Sequence, residues 1–190
     1  MKILKYALGI IALLVLVFIL IGAFSSEVAY KNVITVNKPL AESWAVSQDE
    51  ERMADWLDGF QKIEHVSGTP GTVGAVSDVY FIDDGQEMVI RETITDIVPN
   101  ESITMTFEND FMNMDYILRM SEMEGKTKIS SSTTAVGNGM FSKSLMALMS
   151  GTFVSQEETN LFNLKRTIEE NTKNYFPVVE EPKEETEEQE

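Results

Sequence analysis

The sequence predicts an α+β domain in which a curved antiparallel sheet of about seven strands wraps a long C-terminal helix, with a single apolar helix in front. Three observations predict it. Ile103, Met105 and Phe107 alternate with polar residues, and Met112, Met114, Tyr116, Leu118 and Met120 do the same further on, with Ile117 as the one departure. Such period-two patterning gives a strand one buried and one wet face. From Met140 onward the apolar residues instead recur every three or four positions, as on one side of a helix. Residues 7 to 24 carry no charge at all.

An uncharged run of eighteen residues at 1.5 Å each spans roughly 27 Å as a helix, close to the ~30 Å hydrocarbon core of a bilayer. Lys2 and Lys5 precede the run and Glu27 is the first charge after it. That asymmetry predicts a cytoplasmic N-terminus and a domain on the outer, periplasmic or extracellular side of the cell membrane. A cleavable signal peptide is the competing reading, with Ala23 and Ser25 as small residues at a cleavage site. The run exceeds the ~7–15 apolar residues usual for a signal core, which favours a retained anchor over residues 1–24. Residues 25–31 then form a short linker, at most roughly 25 Å long, so an uncleaved anchor holds the domain beside the membrane.

Within the domain, placed at residues 32–176, residues 33–36 read as the first strand. Pro39 opens a short helix bearing Leu40, Trp44 and Val46. A second helical stretch covers residues 49–57, with Asp49 as its cap and Met53, Trp56 and Leu57 turned inward. Gly59, Gly68, Pro70, Gly71, Gly74 and Gly85 punctuate extended segments, as a bent sheet requires. Thr127, Ile129, Ser131 and Thr133 form the inner row of the last strand, and three of these four bear hydroxyls. Phe141, Leu145, Met149, Phe153, Leu161, Leu164 and Ile168 mark the long helix, with a kink or break at Gly151. Residues 177–190 shrink to Pro, Glu, Lys, Thr, Val and Gln, which predicts an acidic disordered tail.

Composition narrows the chemistry. There is no cysteine and one histidine, His65, so thiolate metal sites, disulfides and most histidine-based catalysis are excluded, and no metal or cofactor is expected. The formal charge of −16 repels phosphates, which argues against nucleic-acid binding. Asp83-Asp84-Gly85 reads as a hairpin turn, since the further ligands of a calcium loop are missing. No phosphate loop and no nucleophile elbow is present.

The order of short motifs carries a resemblance. Val33-Ile34-Thr35-Val36, Lys38-Pro39, Trp44, Met53, Trp56, the Gly71-Thr72-Val73-Gly74 run and Leu161-Phe162-Asn163-Leu164-Lys165-Arg166-Thr167-Ile168-Glu169 follow one another. Together they resemble the START-like, or SRPBCC, helix-grip superfamily, in particular its polyketide cyclase/dehydrase-like branch, over about three quarters of the chain. The resemblance implies a pocket between sheet and helix that takes a hydrophobic small molecule or lipid, with Trp56 beside its entrance; by itself Trp56 reads equally as a core anchor under the second helix.

The expected ligand-binding residues are Trp56, Glu92, Met105, Phe107, Met114, Tyr116, Ser131, Thr133, Leu145 and Met149. Nine of the eleven methionines lie between Met88 and Met149, and flexible thioethers suit an irregular apolar guest as well as a plain core. Ser131, Thr133 and Tyr116 would supply the few polar groups that orient a ligand. Glu92 shares parity with Met88, Ile90 and Ile94; turned inward, its carboxyl would be hard to ionise unless it paired, for instance with Arg119. No catalytic residue is assigned. The alternatives are a cyclase, dehydratase or hydrolase using the same cavity through Glu92, Tyr116 or Ser131, and a ligandless interaction module of the cell envelope.

Overall fold

A computed structural model describes residues 2–25, 27–83 and 85–176. The acidic segment 177–190 expected to be disordered lies outside the described residues. Helix α1 (Lys2–Phe24) leads into strand β1 (Val28–Val36), followed by helix α2 (Leu40–Ser47), a 3-10 turn (Glu50–Arg52) and the single-turn helix α3 (Met53–Trp56). Six strands follow in sequence: β2 (Phe60–Ser67), β3 (Val76–Asp83), β4 (Gln86–Val98), β5 (Ser102–Glu108), β6 (Met112–Met123) and β7 (Lys126–Gly137). Helices α4 (Met140–Leu148) and α5 (Ser150–Glu169) complete the fold.

The seven strands form one antiparallel sheet in the order β1-β7-β6-β5-β4-β3-β2, so the first strand closes on the last and the rest meander. Register shifts in β2 and between Ile94 and Asp96 of β4 bend the sheet, because a bulged strand must curve away from its partner. Asp83 is the register partner of Gln86, so β3 and β4 form the expected hairpin. Strand β1 is longer than its sequence suggests. It starts at Val28, five residues early, and pairs with β7 from Val28↔Ala135 to Val36↔Thr127. Most of the expected linker is therefore strand. Its inward Asn32 interrupts the apolar alternation that would have marked it.

One half of the concave face is a closed core. Val36, Ile94, Ile103, Leu118, Met120 and Ile129 of the sheet meet Val46 of α2 and Leu161, Leu164 and Ile168 of α5. Each fully buried aliphatic side chain here contributes roughly 1.5–3 kcal/mol. The C-terminal segment is tied across α2 and the 3-10 turn. Lys173 Nζ lies 2.7 Å from Asp49 Oδ2, Tyr175 donates to the same oxygen at 2.6 Å, and Asn171 Nδ2 donates to Glu42 at 2.9 Å.

The long helix breaks at Met149, two residues before Gly151, which lies inside the first turn of α5. The four-residue recurrence of Phe141, Leu145, Met149 and Phe153 thus crosses a break and is not one helical face. Helix α5 grips the sheet, whereas α4 packs against α1 and the end of β7. Among the described residues, only the helix over Ile3–Phe24 is long and apolar enough to cross a membrane, and almost all of its surface is exposed.

Candidate functional site

The register places the site. Reading across the concave face, one row runs Asn32, Ser131, Leu118, Ile103 and the next Tyr30, Thr133, Tyr116, Met105, Ile94. A third runs Val28, Ala135, Met114, Phe107, Glu92, Ser77, His65. Seven of the ten expected site residues, all but Trp56, Leu145 and Met149, therefore share three adjacent rows: Met105, Phe107, Met114, Tyr116, Ser131 and Thr133, with Glu92 at the far side. Alternation alone put them on one face, and seven paired strands bring them together.

The chemistry concentrates around Tyr116. Its hydroxyl lies 3.1 Å from Glu157 Oε1 of α5, and its ring meets Phe107 edge-on at 6.3 Å between centroids. Burial, then the nearby Glu157 carboxylate, pushes the Tyr116 hydroxyl well above its ordinary pKa. Burial also raises the Glu157 carboxyl, against the pull of the neighbouring Ser131 and Tyr116 hydroxyls. Tyr30, beside Thr133, is raised by burial as well. All three groups favour their neutral forms, because a charge in so dry a place loses its hydration.

Ser131 Oγ lies near the Glu157 carboxyl and the Tyr116 hydroxyl, and Thr133 Oγ1 near the Tyr30 hydroxyl, yet both are buried and neither makes a hydrogen bond of good geometry among the described residues. Asn32 Nδ2 and Trp56 Nε1 are likewise buried without a hydrogen bond among them. Buried polar groups are almost always paired, so a cluster of unpaired donors marks a place where a partner belongs. Three of the four, Asn32, Ser131 and Thr133, are immediate neighbours on β1 and β7.

Glu92 points inward from β4, flanked by Ser77 and Phe107. Burial, with a smaller push from Glu50 on the 3-10 turn, raises its pKa to about 7. The pairing with Arg119 does not form. Arg119 is exposed on the opposite face of β6, and the nearer Arg91 binds Asp78 at 2.9 Å. His65 Nδ1 lies 3.0 Å from Ser77 Oγ.

Trp56 packs half-buried against the core from α3. Met105, Phe107, Met114 and Tyr116 are also only half-buried despite facing inward, so this part of the concave face is not sealed. Two hollows are described elsewhere. One of about 10 Å³ lies among Ser25, Val28, Ala135, Gly137, Lys143 and Met146, and an open one of about 220 Å³ lies between Glu42 and residues 171–176. Leu145 and Met149 sit apart, on α4 and at the break that follows it, and Met149 is exposed. Sequence reasoning missed Tyr30, Asn32 and Glu157. No group of three or more His, Asp or Glu side chains able to hold a metal occurs among the described residues.

This architecture is the SRPBCC, polyketide-cyclase-like helix-grip fold. No family model matches the sequence, and no curated protein matches it. Solved structures do. An aromatase/cyclase from a Streptomyces species superposes with a TM-score of 0.64 at 14% identity, over 75% of this chain and 94% of its own. Protein CV1439 from Chromobacterium violaceum gives 0.63 at 16% identity, over 76% and 99%. Ara h 8.0201 gives 0.59 at 20% identity, over 75% and 95%. At such identities the likeness is one of fold.

Proposed function

We propose that this chain is a membrane-anchored binding protein for a hydrophobic small molecule or lipid, held between the sheet and α5. The observation that carries the reading is the trio Asn32, Ser131 and Thr133, whose buried polar atoms make no well-formed hydrogen bond among the described residues, on the face that also holds the half-buried Met105, Phe107 and Met114. An unsatisfied buried donor costs roughly 1–3 kcal/mol, which a ligand oxygen would offset. The site offers hydroxyls and an amide N–H₂, and the titratable groups around them, Tyr30, Tyr116 and Glu157, favour their neutral forms. A mostly apolar ligand with a neutral oxygen acceptor, such as an ester or ketone, fits this chemistry best. That the structural neighbours include an aromatase/cyclase is in keeping with a pocket of this kind.

The anchor part of the reading rests on α1, with its exposed apolar surface and the Lys2/Lys5 asymmetry. Phe24 and Val28 are separated by three residues, at most roughly 14 Å of extended chain between their Cα atoms, so the domain would rest against the bilayer. Native mass spectrometry of detergent-extracted chain tests the binding directly. The expected result is a retained apolar species of low mass. Ligand-free protein that also ignores apolar probes would overturn the reading.

Glu92 favours a second reading. A carboxyl with a pKa of about 7, beside Ser77, is poised for acid–base work at neutral pH. Under that reading Glu92→Gln abolishes turnover of the bound compound while leaving its binding intact.

A further inference from the structure

Helix α4 does not behave like a surface helix of a soluble domain. It packs against α1 through small and aromatic contacts. Ser144 Oγ lies 2.7 Å from the Phe18 carbonyl and 2.8 Å from the Met140 carbonyl, and the Phe18 and Phe141 rings are 5.5 Å apart. Gly22 is buried there, and a Cβ at that position would run into Ser144 Oγ and the Met140 carbonyl. At the other side, a Cβ on Gly137 would strike the backbone of Ser142 and Lys143, so β7 also holds α4 at close range. Small residues that let helix backbones meet, with a hydroxyl satisfied inside the pair, are how helices associate in lipid.

Met146 of α4 is buried, but the helix and the break that follows it also carry four uncovered apolar side chains. Met140 is 51% exposed, Phe141 67%, Leu148 59% and Met149 40%. At 100° per residue these four fall within one half of the helix circumference, the half that also carries Ser144 and so adjoins α1. Charge follows the same geography. The chain has 31 acidic residues, yet none lies between Glu124 and Glu157, and Lys143 is the one charged residue of α4. Depth agrees as well. Phe18 and Gly22 lie six and two residues before the end of α1, which places the contact roughly 3–9 Å below that end. Interfacial helices bury their apolar faces by a similar ~5–10 Å.

We propose that α4 is a second membrane contact, its face of Met140, Phe141, Leu148 and Met149 seated at the acyl–headgroup boundary of the leaflet from which α1 emerges. The proposal rests on the membrane-anchored reading. It adds that the domain stands on the bilayer through two elements, with α4 at the Ala135–Gly137 end of β7. That end is paired with Met112 and Met114, so the open part of the concave face lies next to lipid. An apolar ligand would then pass between the bilayer and this face without crossing water.

The absence of cysteine makes the test direct. Full-length single-cysteine variants Leu13→Cys, Phe141→Cys, Leu148→Cys and Asp115→Cys are labelled with an environment-sensitive fluorophore and reconstituted into phosphatidylcholine vesicles. The expected result is blue-shifted emission at positions 13, 141 and 148, with loss of iodide quenching. Lipids with a nitroxide near the headgroup should quench 141 and 148 more than 13, and position 115 should remain aqueous. A lipid-embedded 13 with aqueous 141 and 148 overturns the role of α4 and leaves the anchor standing. An aqueous 13 overturns the anchor and this proposal with it. Because Phe141 also touches Phe18, Leu148 serves as the independent position if Phe141→Cys disturbs the packing.

Discussion

At the scale of single residues, Glu92 shows what parity can and cannot convey. Alternation with Ile90 and Ile94 placed it inward, but only the folded neighbours reveal that its opposed residues are Ser77 and Phe107 and that no cation reaches it. The unfolded carboxyl ionises near 4.5 and the folded one at about 7. Between those values the native state keeps a proton that the unfolded chain has lost, so stability falls as pH rises through the window and stays low above it. The full shift corresponds to on the order of 3 kcal/mol. Glu92→Gln is therefore expected to stabilise the protein at pH 8 and to change little at pH 4, read by chemical denaturation at both. Equal destabilisation at both values would mean that the carboxyl has a partner. Ser131→Ala makes a complementary case. Removing an unpartnered hydroxyl should leave stability within about 0.5 kcal/mol of the parent or raise it, while ligand retention falls. Glu157 was not legible, because Gln156, Glu157 and Glu158 read alike as the polar side of a helix and only the fold turns one of them towards Tyr116.

At the scale of elements, β6 was the clearest strand in sequence, since its apolar residues alternate as its burial does, and the burial of β7 alternates as well; in β5 both parities are half-buried, so its sequence alternation is sharper than its burial. The start of β1 was hidden because Tyr30 and Asn32, which belong to the site, occupy inward positions where an apolar residue would have signalled a strand. The break at Met149 was hidden for another reason. A stripe with period four continues across a one-residue interruption, although the two helices then diverge to different partners. The C-terminal segment offers a test at this scale. Burial raises the Asp49 carboxyl, but hydrogen bonds from Lys173 and Tyr175 outweigh it and hold the group below its ordinary value. This stabilisation is present at neutral pH and is lost as pH falls through the folded pKa. Asp49→Asn should cost on the order of 1–2 kcal/mol and release residues 171–176, seen as faster hydrogen exchange there with the sheet unaffected. Unchanged exchange would show that the tie contributes nothing.

At the scale of the whole molecule, a helix-gripping sheet carries an open apolar face with a few buried polar groups, and an apolar helix sits three residues from its first strand. The order of motifs made the fold legible, but the identity of a ligand depends on shape and on polar groups brought together from β1, β6, β7 and α5. The proposed topology predicts that a C-terminal reporter requiring export is active and its cytoplasmic counterpart silent; the reverse would refute it. The central claim is that the inward methionines face ligand space and not a filled core. Met114→Trp, measured for both unfolding midpoint and uptake of a fluorescent apolar probe, tests it most directly. Overpacking a dense core costs ~1–3 kcal/mol. The account predicts a midpoint close to the parent's together with lost uptake, whereas a destabilised variant of a parent that never took up the probe would contradict it.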